Sequence, residues 1–167
     1  HQFSDFGPAK QRISSTIIRK LLANANFSQV ETLLGRKYSI SGRVIRGDKN
    51  ARKWGFPTAN INIAQLPLVL KGVYCVQIRR KRGSILHGVA NIGRRPTVTN
   101  NRQLLEVHIF GFDASLYGEE LEVLFINKIR DEKKFASIDD LVTQISQDIE
   151  LAEKYFLQQQ RKSKTND

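Results

Sequence analysis

From Tyr38 to Ile129 the apolar residues recur with a period of two, interrupted by turn residues and by no helical stretch. Tyr38, Ile40, Gly42 and Val44 alternate with Ser39, Ser41 and Arg43, which is the pattern of a strand with one face buried. Thr58 to Ile63 repeats it, with Ala59, Ile61 and Ile63 on one face and Asn60 and Asn62 on the other. Strands are also predicted over Gly72–Arg79, Ser84–Ile92, Leu104–Phe110 and Glu119–Ile129. Arg80-Lys81-Arg82-Gly83 reads as a hairpin turn with a solvated tip, and Gly93 to Asn101 as a polar, mobile loop. Several short strands without interleaved helices predict a closed antiparallel barrel or a sandwich.

Helical spacing is confined to the two ends. Ser14 or Ser15 caps a first helix reaching about Asn24, with Ile17, Ile18, Leu21 and Leu22 as its apolar stripe. A second helix is expected over Ser28–Leu34, with Val30, Leu33 and Leu34 inward and Gly35 as its stop. Ser137 and Asp140 resemble a capping box opening a long helix, with Asp in the place of Glu. Its stripe, Ile138, Leu141, Val142, Ile145, Ile149, Ala152 and Phe156, is expected to pack on the strands. The segments divide into a helical linker (1–35), a β-rich domain (36–157) and a polar, disordered tail (158–167).

The charge balance is strongly basic, with 27 Lys and Arg against 16 Asp and Glu, a net +11. A positive field favours anionic partners without choosing between nucleotides, nucleic acids and membrane surfaces. No apolar run approaches the ~20 residues of a membrane helix. The lone Cys75 excludes an intrachain disulfide and reads as a buried strand thiol. His1, His87 and His108 lack metal-ligand spacing. The chain contains no Met and begins at His1, so it is read as a fragment of a longer product with His1 as a cloning remnant.

The stretch richest in chemistry is Gly47 to Asn60, a glycine-bounded basic loop that runs into a strand. Lys49, Arg52 and Lys53 can meet a polyanion, and Thr58 and Asn60 share the polar face of the strand. Side-chain oxygens of this kind suit Mg²⁺, a hard cation that keeps several waters and binds phosphates. Taken alone, the same residues read more readily as a solvated turn with local hydrogen bonding. Neither the G-x-x-x-x-G-K-[ST] nor the G-x-G-x-x-G phosphate fingerprint is present.

Gly47-Asp48-Lys49 followed by Gly55-Phe56-Pro57-Thr58-Ala59-Asn60 resembles the signature of the riboflavin kinases. The resemblance continues through Gly88-Val89-Ala90-Asn91-Ile92-Gly93, Arg95-Pro96-Thr97 and Leu105-Glu106-Val107-His108-Ile109-Phe110. It then takes in Leu116-Tyr117-Gly118 and Arg130-Asp131-Glu132, covering residues 36 to 156. Ahead of it, Ile13-Ser14-Ser15-Thr16 with Arg19 is similar to the end of the FMN adenylyltransferase module of bacterial bifunctional FAD synthases. The resemblance implies a mainly β fold, a closed, Greek-key-like antiparallel barrel with a C-terminal helix and a short helical N-terminal segment. It implies ATP-dependent phosphorylation of riboflavin to FMN, with ADP as co-product, in the cytoplasm. The rest of the adenylyltransferase site is absent, so adenylyl transfer is expected only with the missing N-terminal module.

By the same resemblance, Gly47, Asp48, Lys49, Arg52 and Gly55 belong to a loop over the ATP phosphates, and Thr58 and Asn60 hold Mg²⁺. Glu106 falls on the family's catalytic glutamate; from periodicity alone it reads more readily as an exposed strand glutamate paired with Lys or Arg, and the resemblance reverses that order. Arg130 and Phe135 are candidates for the flavin side, where 93–101 and 130–135 would close. The competing reading of Arg130 is a salt bridge to Asp131, Glu132 or another acid, and His108 reads as a packing or hydrogen-bonding residue. Two positions depart from the family pattern: Ala51 stands where glycine is common and Trp54 where leucine is common. The indole of Trp54 is expected either to stack on the nucleotide or to cover the loop.

Two other functions fit the same chain less well. A basic barrel binding single-stranded nucleic acid needs aromatics interleaved with cations along one face, and here the cations are scattered. A flavin- or nucleotide-binding module without turnover has no need of Thr58, Asn60 and Glu106 together. The expected partners are therefore riboflavin and ATP, with no nucleic acid and no membrane.

Overall fold

The computed structural model describes residues 14–47, 50–63, 69–96 and 101–165. Helices α1 (Ser15–Ala23) and α2 (Phe27–Leu34) come first. Strand β1 (Ser39–Ile45), the one-turn helix α3 (Asn50–Lys53) and strand β2 (Ala59–Asn62) follow. Strands β3 (Gly72–Arg80), β4 (Leu86–Pro96), β5 (Asn101–Ile109) and β6 (Glu120–Arg130) lead to the long helix α4 (Ile138–Thr165). The six strands close into an antiparallel barrel in the order β1-β2-β5-β4-β3-β6. Closure settles the choice between barrel and sandwich, and it gives each of the six strands a partner on both sides.

The period-two residues fill the barrel. Ile40, Val44, Ile61, Tyr74, Val76, Ile78, Ile92, Leu105, Val107, Leu121, Val123 and Phe125 are all buried in one cluster. Leu22, Phe27 and Val30 belong to the same cluster, so α1 and α2 share the barrel's core. Phe27 meets Tyr74 edge-on at 5.8 Å between ring centroids and stacks on Phe125 at 6.3 Å. Ser14 caps α1, accepting from the Ile17 amide, and Gly35 ends α2 in the left-handed conformation at φ 67°. Ile17 and Leu34, placed on the inward stripes by spacing alone, are exposed.

The alternate residues Val73, Cys75 and Val89 point outward and are covered by Ala152 and Phe156 of α4. Burial there pushes the Cys75 thiol up to about 11, so it is an inert part of this packing. Phe156 also stacks on the His87 ring at 4.1 Å. The expected cap of α4 forms, with Ser137 Oγ accepting from the Asp140 amide at 3.1 Å.

Four further expectations change. Residues 93–96 are strand, not loop: Gly93, Arg94, Arg95 and Pro96 pair with Leu104, Gln103, Arg102 and Asn101. Pro96 is tolerated because it is the last residue of the pair, where a missing donor costs least. Residues 97–100 lie outside the described residues. Residues 50–53 form a helical turn inside the expected loop, which Ala51, the best helix former, favours. Ile138 is 60% exposed, because the stripe reaches the barrel only from Leu141 onward. Finally, α4 runs on to Thr165 instead of ending near Phe156. Its last turns are exposed and consist mainly of Gln, Lys and Arg, straight-chain residues that lose little freedom in a helix.

Candidate active site

Closing the barrel lines up polar residues that are far apart in sequence. Cα partners run across four strand pairings as Asn60–Glu106, Glu106–Asn91, Asn91–Val73 and Val73–Arg130. Directly opposed residues share a face. This is the outer face, because the alternate residues Ile61, Leu105 and Ile92 are in the core. Glu106 therefore sits between two carboxamides on its neighbouring strands, half-buried. The expected face division of β5 holds, with Leu105, Val107 and Ile109 buried on the opposite side.

Two cavities take up residues of this row, Asn60 in the first and Glu106, Asn91 and Arg130 in the second. The first, about 300 Å³, is lined by Gly47, Arg52, Thr58 and Asn60 and walled by Val44, Ile109, Phe112 and Leu116. The second, about 360 Å³, is lined by Trp54, Phe56, Asn91, Glu106, His108 and Phe135, with Leu141, Ile145 and Ile149 of α4 behind. Thr58 lines both, so the cavities meet at the start of β2.

The first cavity brings Gly47, Arg52, Thr58 and Asn60 together as the sequence suggested. Asn60 is only 6% exposed although the pattern put it on a polar face. Gly47 explains the burial: a Cβ there would fall on the Asn60 carboxamide, so glycine alone lets the loop backbone close over it. Gly55 has φ 88°, a left-handed conformation that favours glycine, and turns the chain out of α3. Asp48 and Lys49 lie outside the described residues.

Arg130 lines the second cavity and also makes the ion pair that was its competing reading. Its Nε donates to both oxygens of Asp148 at 3.0 Å, and Nη2 donates to Oδ2 at 2.8 Å. Asp148 is 3% exposed and also accepts from Gln144 Nε2 at 3.1 Å. The guanidinium is thus spent on fastening α4 to the end of β6, the salt-bridge alternative with an acid 18 residues away. It still lines the cavity and lies 5.7 Å from the Phe135 ring centroid. His108 Nδ1 is 2.9 Å from the Pro57 carbonyl oxygen, which can only accept, so Nδ1 carries the proton. Its ring meets Phe56 and Phe110 edge-on.

Asp148 and Asn91 were missed as site residues. Asp148 had a signal: with Leu141, Ile145 and Ala152 it falls on one helical stripe, and an acid on an apolar stripe needs a partner. Asn91 becomes visible only through the register that sets it opposite Glu106.

The family model described as riboflavin kinase (Flavokinase) matches residues 34–156. A bifunctional riboflavin kinase/FMN adenylyltransferase of Haemophilus influenzae is 53% identical over 87% of this chain and 47% of its own length. The protein of the same name from Escherichia coli K12 is 46% identical over 87% of this chain and 46% of its own. This chain thus spans about half the length of the curated relatives it matches. A solved structure described as a macrolide-efflux protein from Streptococcus pneumoniae aligns with a TM-score of 0.75 at 34% identity, covering 84% of this chain and 46% of that one. Its description names a different activity from the family model. The assignment follows the family model and the curated relatives, which agree in naming riboflavin kinase. Among the described residues no helix is long and apolar enough to cross a membrane.

Proposed function

Because the chain belongs to the riboflavin kinase family, we propose that it transfers the γ-phosphoryl group of ATP to the terminal ribityl hydroxyl of riboflavin, giving FMN and ADP. The single observation that supports this most is the seam between the cavities. Thr58 and Asn60 line the first cavity, Glu106 lines the second, and Asn60 and Glu106 are cross-strand partners. Phosphoryl transfer needs donor and acceptor held in line at one point, with charge neutralised and the nucleophile oriented.

In this reading ATP occupies the first cavity. Arg52 and the loop backbone at Gly47 face its phosphates; Asp48, Lys49 and Gly55 are assigned to the same loop. The metal question turns on donor chemistry. Among the described residues no group of three or more His, Cys, Asp or Glu side chains could cage an ion. The Thr58 hydroxyl and the buried Asn60 carbonyl suit a hard cation that takes its remaining ligands from phosphates and water. Thr58 and Asn60 would hold Mg²⁺, which when bound neutralises charge on the phosphate oxygens. Glu106 accepts the proton of the ribityl hydroxyl as its oxygen attacks phosphorus, and ADP leaves with the bridging oxygen. Asn91, opposite Glu106, orients that hydroxyl or the carboxylate. The apolar second cavity takes the isoalloxazine, with Phe135 against its edge and Arg130 holding the wall rather than the ligand. The setting is the cytoplasm. Adenylyl transfer belongs to the longer proteins, so this chain alone makes FMN and no FAD.

Glu106→Gln tests the assignment. Turnover should fall by about 10²–10⁴-fold, the usual worth of a general base, with ATP binding unchanged. Turnover within threefold of wild type would remove Glu106 from the mechanism.

A further inference from the structure

We propose that Trp54 is a recognition residue for the acceptor's ring system, its indole stacking on the isoalloxazine and not on the nucleotide. The inference rests on the kinase reading and adds to it a residue that departs from the family pattern. Helix α3 is a single turn that contributes lining residues to both cavities. Arg52 lines the first cavity, while Ala51, Trp54 and Phe56 line the second. Backbone bonds fix this division. The Trp54 amide donates to Ala51 O at 3.1 Å, the Gly55 amide to Arg52 O at 3.2 Å and the Phe56 amide to Ala51 O at 2.9 Å. With Gly55 at φ 88°, the chain doubles back and brings Trp54 and Phe56 to the same cavity.

The other aromatic rings of that cavity already have partners. Phe56 meets His108 edge-on at 6.1 Å, and Phe135 lies beneath Arg130 and Lys133, each 5.7 Å away. The Trp54 ring is half-buried and has no ring or cation contact among the described residues. A large flat indole lining a cavity with Phe56, Phe135, Leu141, Ile145 and Ile149 matches a planar tricyclic ligand, because stacked π-systems gain beyond the area they bury. A purine in the first cavity is out of register with it, since Trp54 does not line that space.

The test compares the full chain with Trp54→Leu and Trp54→Phe. At this half-exposed position neither change opens the core. The KM for riboflavin should rise about tenfold in the Leu variant, the factor that ~1.4 kcal/mol corresponds to, and about threefold or less in the Phe variant. The KM for ATP and kcat should stay within twofold. A second readout needs no turnover: an indole in contact quenches flavin emission by electron transfer, so bound riboflavin should be dark on wild type and brighter on Trp54→Leu. An ATP KM that rises while the riboflavin KM holds would overturn the proposal and put the indole on the nucleotide. Equal emission of bound flavin on both proteins would overturn it too. If wild type binds dark riboflavin yet makes no FMN, the stacking stands and the kinase reading fails. If FMN forms and Trp54→Leu leaves the riboflavin KM unchanged, the kinase reading stands and the stacking fails.

Discussion

Replacing Asp148 by Asn removes one charge from the pair that fastens α4 to the barrel. The carboxylate accepts from Arg130 through Nε and Nη2 at 2.8–3.0 Å and from Gln144 at 3.1 Å. A carboxamide of the same shape keeps one acceptor but turns an NH₂ group toward the guanidinium. Losing one partner of a buried pair costs about 3–5 kcal/mol, because the other charge stays buried without compensation. Arg130 is not wholly buried: its side chain keeps 21% exposure, and Nη1 still reaches the Asp131 carbonyl at 3.0 Å. That remaining solvation and the second acceptor bring the cost below this range, to about 2–3 kcal/mol. For a chain of this size each kcal/mol moves Tm by about 2–4 °C, so the loss should be about 4–12 °C. The assay is ligand-free thermal unfolding of wild type, Asp148→Asn and the double variant Arg130→Met/Asp148→Leu. The double variant should regain most of the loss, since apolar replacement of both partners is often neutral. A melting temperature for Asp148→Asn within 1 °C of wild type would refute the fastening role.

Gly47→Ala places a methyl group on the Asn60 carboxamide. Either the loop or Asn60 must move, and the KM for ATP with Mg²⁺ should rise about tenfold or more with little change in Tm; unaltered ATP titrations would show that the close approach is dispensable. His87 supplies a pH dependence. Burial against Phe156 lowers its pKa below the ordinary 6.5. The unfolded chain therefore binds more protons in the window just below 6.5, and stability falls as pH drops through it. Urea unfolding between pH 7.5 and 5 should show that loss, and His87→Phe should have a shallower slope; equal slopes would assign the dependence to other groups.

The barrel was legible because its strands carry a strict alternation whose apolar half has to be buried. Two neighbouring features were hidden for different reasons. Polar Gly93 to Pro96 looks like a loop, and only the opposing residues of β5 make it strand. Arg130 offered acids two and fewer residues away, while the acid it binds lies on another element. A linear pattern cannot rank a local partner against one that folding delivers. The motif residues Gly47, Arg52, Thr58 and Asn60 were readable as a set, and the structure brings them to one cavity. The side Trp54 takes was not readable, because it depends on the helical turn of α3 and the reversal at Gly55.

The most direct measurement is a chromatographic separation of flavins after incubating this chain alone with riboflavin, ATP and Mg²⁺. The account predicts FMN, formed one for one with ADP, and no FAD. ATP consumed without FMN, or riboflavin left untouched although both substrates bind, would contradict it.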